Sequence, residues 1–396
     1  MEFNFITIIL LLASAQGFFL ALIIFHKHGK LYANRFLGFL IFIYSLVLLN
    51  LFFSDMGYYE GYPILSLIPI GVPFIIGPLH YLYIKYLTQH SSKFRKYAML
   101  HFIPAVFTVL FFLISYYGQV FGQDLFNYRI SDNYPFIFII FNWLLIIQAM
   151  TYVVLSLLLI KKYSRYFKDA FSSLEQIRLD WIRNLTFFVA GGLMIFALEN
   201  LLFQLGINLS NYFMLSSAVI AVYVYTLGYT GFVKSDIFEQ PDTARSMEQL
   251  PLVSYQFHQE RSENKTTTRE KYEKSGLSKE KSEELSKRLK TFMKENQPFK
   301  ESNLSLHQLA EMLDITPHNL SEVINTGLQM NFFDFVNKYR VERVKEDILD
   351  SNKKHLTLLS IALDAGFNSK SSFNSIFKKH TGLTPSGFRT KLKKKY

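Results

Sequence analysis

Ser369, Lys370, Ser371 and Asn374 stand together near the end of the chain, at the start of a short amphipathic stretch. Their side chains donate and accept hydrogen bonds, which is the chemistry that reads the edges of base pairs. The surrounding run, LSIALDAGFNSKSSFNSIFKKHTGLTPSGFR over residues 359–389, indicates how they would be presented. Apolar residues recur there at helical spacing, Gly366 falls where one short helix must stop, and the polar group opens the next. A helix, a tight turn and a second helix is the arrangement that pushes the start of a helix into the major groove of DNA.

A second set of candidate residues lies where polar groups are costly, inside long apolar runs: His80, Asn142, Gln148, Glu199 and Asn200, with Asn50 near the end of another run. Asn and Gln in such places are expected to hydrogen-bond between helices. A carboxylate at the depth of Glu199 must be neutral, paired with a group such as His80, or exposed to a wet pocket. His80, Asn142, Glu199 and Asn200 are therefore the candidates for a ligand pocket among the third, fifth and sixth runs. Pro69, Pro73 and Pro78, with Gly71 and Gly77, are expected to kink or unwind the third run. Catalysis is not indicated. There is no HExxH, no GxSxG and no cysteine, so no cofactor or metal is expected.

The elements that must carry these residues follow from composition. The 396-residue chain is 50% hydrophobic and 17% aromatic, with 40 Phe, 24 Tyr and only 18% charged residues. That is too apolar for a soluble protein of this length. Runs of the length that crosses about 30 Å of hydrocarbon occur at 3–25, 33–53, 64–87, 97–117, 135–160, 182–205 and 210–233. The first lacks basic residues at its start and continues past Ala13-Ser14-Ala15, so it reads as a retained helix, not a signal peptide. Seven spans result, over 1–233.

Orientation follows from the connections. Lys27, Lys30 and Arg35 flank the first, Lys93, Arg95 and Lys96 the third, and Lys161, Lys162, Arg165, Lys168, Arg178 and Arg183 the fifth. The second carries Asp55 and Glu60, the fourth only Arg129 beside Asp124 and Asp132, and the sixth no charge. The odd connections are thus cytoplasmic, with the N-terminus outside and the C-terminus inside. The formal charge of +11 suits both cytoplasmic loops and a polyanion-binding module. Residues 234–277 are polar with little periodicity and read as a flexible linker, whose reach is about 35 Å.

The rest of the chain, 278–396, reads as an all-helical domain. Ser278 would cap a helix with Leu285, Leu289, Phe292 and Met293 on one face. That face suits packing within the domain or contact with a second copy, a homodimer. Ser305 would cap LHQLAEML, residues 314–316 would turn, and Pro317 would open HNLSEVINTG. A long helix over 331–349 would join this unit to the second one, with Phe332, Phe335, Val336, Tyr339, Val344 and Ile348 packing against both. At about 1.5 Å per residue it approaches the 34 to 36 Å between successive major-groove faces.

The run LHQLAEMLDITPHNLSEVIN, the long helix and then IALDAGFNSKSSFNSIFKKHTGLTPSGFR resemble the DNA-binding domain of AraC/XylS-type transcriptional regulators. ANRFLGFL, GPLHYLYIKYLT and LHFIPA resemble the multi-span part of membrane-embedded members of that family. The resemblance implies base-facing residues at His318, Ser321 and Glu322 in the first recognition helix and at Lys370, Ser371, Asn374 and Ser375 in the second. By type, Asn374 suits adenine, Lys370 guanine, and Glu322 can only accept, from cytosine. Lys378, Lys379, Arg389 and Lys391 are implied phosphate contacts. Asp314 stands in the turn where the family often has Gly, and Asp tolerates the left-handed conformation such a turn needs.

The expectation is an all-α protein: a seven-helix transmembrane bundle in a bacterial cytoplasmic membrane, then a cytoplasmic domain with two helix-turn-helix units. Its expected role is a membrane-bound, non-enzymatic regulator of transcription. Double-stranded DNA, the lipid bilayer, an unknown signal ligand and RNA polymerase are the implied partners. The competing reading is a transporter or receptor whose basic C-terminal domain binds lipid or protein.

Overall fold

The computed structural model describes residues 5–28, 32–61, 71–89, 96–120, 136–173, 179–205, 207, 213–235 and 279–393. Regular structure among them is helical, apart from one isolated β-bridge between Phe171 and Ser305. The chain falls into two compact units, one of Met1–Lys161 with Leu179–Gln240, the other of Lys162–Arg178 with Pro241–Tyr396. Pro69, Ser278, residues 236–277 of the expected linker and the connections bearing Lys93, Arg95, Asp124, Arg129 and Asp132 lie outside the described residues.

The first unit is made from long apolar helices: α1 (Phe5–His28), α2 (Tyr32–Asp55), α3 (Pro73–Gln89), α4 (Ile103–Val120), the first part of α5 (Phe136–Ala170), α6 (Asp180–Gln204) and α7 (Phe213–Ser235). Among the described residues, five stretches are long and apolar enough to cross a membrane: Thr7–His26, Tyr32–Asp55, Lys96–Ile114, Ile139–Ala170 and Asp180–Gln204. The expected spans at 64–87 and 210–233 fall on α3, of 17 residues, and α7, of 23. Leu12, Phe19 and Leu22 are each more than 60% exposed, an arrangement that water would penalise and hydrocarbon would not.

Small and polar residues mark the close approaches. A Cβ on Gly17 would meet Ser45 Oγ at 2.1 Å, so α1 and α2 can cross there only because the position is glycine. Ser14 Oγ donates across the same pair to Ser45 O at 3.0 Å. Pro73 and Pro78 of the third run take different places in α3. Pro73 is the first residue of α3, where its missing N–H is harmless. Pro78 lies inside the helix and cannot bond the carbonyl four residues back, that of Phe74. Gln148 Nε2 donates to that carbonyl at 3.3 Å, so a side chain of α5 takes the place of the lost backbone donor.

Helix α5 is longer than the expected span at 135–160. Its 35 residues measure about 52 Å, against about 30 Å of hydrocarbon. Its last turns carry Lys161, Lys162, Arg165 and Lys168, and are held by the buried side chains of Tyr163, Tyr166 and Phe167. From Lys162 onward the helix belongs to the second unit.

The remainder of the second unit is a succession of shorter helices: α8 (Lys279–Glu295), α9 (Leu306–Met312), α10 (Pro317–Glu322), α11 (Phe332–Leu349), α12 (Leu358–Asp364), α13 (Lys370–Thr381) and α14 (Pro385–Lys393). Two apolar clusters hold them. One joins Leu289 and Met293 of α8 to Leu306, Leu309 and Ala310 of α9, Leu320 of α10 and Phe332, Phe335 and Val336 of α11. The other joins Val341 and Val344 of α11 to Ile361, Ala362, Phe367, Phe373, Ile376 and Phe377. Helix α11 thus supplies both cores, one from each end. The apolar stripe of α8 is used within this domain and is not spare for a second copy.

Candidate nucleic-acid interface

The side chains expected to meet DNA are positioned by two helix pairs, α9 with α10 and α12 with α13. Each pair is defined by its caps. Ser305 Oγ accepts from Gln308 N at 3.2 Å while Gln308 Oε1 accepts from Ser305 N at 2.8 Å, a reciprocal box that fixes the start of α9. Asp314 turns the chain at φ 53°, the left-handed conformation anticipated for it. Thr316 then caps α10 through Asn319 N, and Pro317 takes the first helical position. Thr357 caps α12 through Ser360 N, and Ser369 caps α13 through Ser372 N at 3.3 Å.

Gly366 shapes the second turn. It has φ 96°, and a Cβ there would lie 2.3 Å from the Phe299 carbonyl oxygen. Only glycine satisfies both the backbone angle and the approach. Phe367, 2% exposed, then drops into the core, and the chain re-emerges at Ser369 to begin α13.

Lys370, Ser371, Asn374 and Ser375 are all exposed on the first two turns of α13. The opposite side of the same helix is buried through Phe373, Ile376 and Phe377. Polar and apolar faces are thus separated by helical periodicity alone, and the polar face is an uninterrupted set of donors and acceptors. Lys378 is exposed further along α13, and Lys391 is exposed on α14.

Two implied phosphate contacts have structural occupations. Lys379 Nζ pairs with Asp334 Oδ1 at 2.6 Å, tying α13 to the start of α11. Arg389 donates to the carbonyls of Lys354, at 3.0 Å, and Leu356, at 3.4 Å, closing the turn that precedes α12. Arg389 thereby braces this turn.

The first pair departs further from expectation. Ser321 is 3% exposed and its Oγ accepts from Asn325 Nδ2 at 3.1 Å. It faces inward and is withdrawn from the base-facing set. The α-helical hydrogen bonding also ends at Glu322, and Val323–Gly327 forms a π-turn closed by Leu328 N to Val323 O at 3.0 Å. The wider turn lets Val323 and Ile324 both enter the core. His318 and Glu322 are half-buried, and Glu322 Oε2 is enclosed without a hydrogen-bond partner.

Arg340, Asn337, Asn368 and Ser172 were missed in the sequence, and they form the polar centre of this unit. Arg340 is 1% exposed. Its guanidinium donates to Phe299 O and Glu301 O, both at 2.7 Å, and to Ser172 O and Oγ at 3.2 and 3.1 Å. Burial pulls its pKa down to about 10, partly offset by the charge of Glu301. The sequence does hold a signal for it. Val336, Arg340 and Val344 are spaced by four on an amphipathic helix, so a cation occupies the core stripe.

In the first unit the candidate pocket residues separate. A cavity of about 180 Å³ opens among α3, α5 and α6, the expected runs, with α2 and α7 completing its wall. His80 lines it, between Gly77, Tyr152, Gly192 and Tyr223; Asn142, Glu199 and Asn200 do not. His80 Nε2 lies 3.1 Å from Thr186 Oγ1 and Nδ1 lies 3.2 Å from Tyr223 Oη, so both ring nitrogens are engaged. Glu199 does not pair with His80. Its Oε1 accepts from Ser216 N at 3.3 Å, and its Oε2 is buried without a partner. Asn200 Nδ2 donates to Phe196 O within its own helix at 2.8 Å.

Comparison with known proteins bears on the C-terminal helices. Residues 309–391 match the helix-turn-helix domain family. An uncharacterized HTH-type transcriptional regulator of Staphylococcus aureus (strain COL) is 34% identical over 87 residues, which is 22% of this chain and 11% of that protein. The melibiose operon regulatory protein of Escherichia coli (strain K12) is 28% identical over 86 residues, again 22% of this chain and 28% of that protein. The aligned parts thus span well under a third of either relative. No solved structure matches the chain. The C-terminal part is thus similar to the helix-turn-helix domains of transcriptional regulators.

Proposed function

We propose that the chain is a membrane-bound transcriptional regulator of the AraC/XylS type. In this reading α10 with its π-turn and α13 are the recognition helices of two helix-turn-helix units, and α11 sets their separation. Its 18 residues span about 27 Å, of the same order as the roughly 34 to 36 Å between successive major-groove faces. Helices α1 to α7 would be seven spans of a cytoplasmic membrane, with the reader on the cytoplasmic side, as the basic odd connections favour.

The observation that carries the reading is the exposed face of α13. Asn374 and Lys370 stand one turn apart on it, with Ser371 and Ser375 between and beside them. Asn374 can bond an adenine edge through two hydrogen bonds and Lys370 can donate to guanine. From α10, Glu322 and His318 complete the base-facing set, and Lys378 and Lys391 supply phosphate contacts. RNA polymerase and a second copy of the chain are the protein partners this role calls for. The cavity beside His80 is the place for a signal ligand, which would act by favouring one of two arrangements of the helices.

Genome-wide mapping of DNA bound by the intact protein tests the reading against a Lys370→Ala, Asn374→Ala variant. Discrete sites for the intact protein that vanish in the variant are the expected result. Identical maps, or no enriched sites for either, would defeat it and favour a lipid- or protein-binding role for the basic domain.

A further inference from the structure

Residues 171–173 lie far upstream of the helix-turn-helix domain in sequence, yet they are built into its centre. Ser172 N donates to Leu304 O at 3.0 Å, beside the antiparallel bridge from Phe171 to Ser305. Ser172 O accepts from Asn337 Nδ2 at 2.9 Å and from Arg340 Nη1 at 3.2 Å, and Ser172 Oγ accepts from Arg340 Nη2 at 3.1 Å. Ser173 Oγ accepts from Asn368 Nδ2 at 2.8 Å, and Asn368 also donates to Asn303 Oδ1 at 2.9 Å. Ser172 is fully buried and Phe171 is 7% exposed.

Three consecutive residues therefore touch three different parts of the reader. Leu304 and Ser305 open the first helix pair, Asn337 and Arg340 sit midway along the connecting helix, and Asn368 is two residues ahead of Lys370 on the second. Backbone pairing fixes the register of the segment, and its polar atoms find partners inside a buried seam. Without it the donors of Asn337 and Arg340 would lose acceptors in a place where an unmet donor is costly.

We propose that the reader carries a docking seam for an extended segment, formed by Leu304, Asn337, Arg340 and Asn368, and that its occupant is residues 171–173 of the same chain. These residues directly follow α5, whose earlier turns are among the apolar helices of the first unit. The reader thus takes a segment from outside its own stretch of sequence into its centre. A displacement of the end of α5 reaches both helix pairs at once, because the segment contacts the start of one and the turn of the other. This regulatory consequence rests on the DNA-binding reading above; the docking itself does not.

The chain has no cysteine, so introduced thiols are the sole ones. The test uses the full-length chain in lipid vesicles with Ser173→Cys and Asn368→Cys, treated with a short bifunctional thiol reagent. Cross-linking should run about tenfold faster than in a Ser173→Cys, Lys391→Cys control, which reports chance encounters. Equal rates would overturn the docking. Should Asn368→Cys disturb folding, Ser173→Cys with Asn303→Cys interrogates the same seam and carries the same two outcomes.

DNA binding is then compared between the cross-linked protein and the single-cysteine proteins capped with the same reagent. A change in affinity of about fivefold or more is expected, and unchanged affinity would overturn the regulatory role. If the single-cysteine proteins bind no specific DNA, the proposed function fails instead, and the cross-linking rates still decide whether the segment docks.

Discussion

Replacing Arg340 by Met isolates the contribution of the buried guanidinium. Methionine keeps the length of the side chain and removes every donor. The three shortest bonds lost are those to Phe299 O and Glu301 O at 2.7 Å and to Ser172 Oγ at 3.1 Å. Hydrogen bonds to a charged group contribute about 2 kcal/mol each, so about 6 kcal/mol is lost. Against this stands the burial of the cation. Burial, which pulls the pKa of the guanidinium down to about 10, opposes this loss, and the substitution removes that cost. The net expectation is a domain destabilised by about 3 kcal/mol. Hydrogen exchange on the full-length protein reads this directly, because both tryptophans lie outside the domain and fluorescence would not follow it. Amides of α11 should exchange about a hundredfold faster in Arg340→Met. Arg340→Lys should recover only part of the loss, since one ammonium cannot replace a planar fork of donors. Unchanged or slower exchange in Arg340→Met would show that desolvation outweighs the bonds and would refute the reasoning.

Other substitutions test separate parts of the reader. Asn374→Ala should weaken specific DNA binding by about 1 to 3 kcal/mol and relax preference at one base pair, measured by binding to a series of single-base variants of a mapped site. Lys378→Ala should weaken binding evenly across sequences and reduce the salt dependence by about one counterion. Asp314→Gly should stabilise the domain by up to about 1 kcal/mol by relieving φ 53°, whereas Gly366→Ala should unfold the second turn, because its Cβ would meet the Phe299 carbonyl; thermal melts followed by hydrogen exchange distinguish the two. Burial holds His380 below its ordinary pKa, with Asp334 opposing and Lys379 assisting. A base depressed in the folded state binds fewer protons than the unfolded chain, so stability is lost as pH falls through the range below 6.5. His380→Gln should flatten that part of a stability–pH curve, and an unchanged slope would remove His380 from the account.

Local signals were enough for much of this protein. The caps at Ser305 and Ser369, the start at Pro317 and the left-handed turn at Asp314 depend on the residue and its nearest neighbours, and such features follow from sequence. The exposed face of α13 follows equally from period, because Phe373, Ile376 and Phe377 leave Lys370, Ser371, Asn374 and Ser375 outside. The apolar runs were likewise legible as helices from length and composition.

What the sequence could not decide depended on partners distant along the chain. Ser321 is the local exception, a polar side chain at a plausible groove-facing position that the adjoining π-turn and Asn325, four residues on, draw inward. Arg389 carries a charge suited to phosphate, but two carbonyls in the turn before α12 engage it. Glu199 found a backbone N–H instead of His80, and Gln148 found the carbonyl that Pro78 had freed. The seam around Arg340 is the extreme case, joining residues 165 to 195 positions apart. Periodicity and capping report on a few neighbouring residues; they can place a cation at Arg340 on the core stripe, but they do not name the partners it finds across the fold. Sequence therefore determined which elements form and which faces they expose, while tertiary structure decided which polar groups on those elements remain available to a partner.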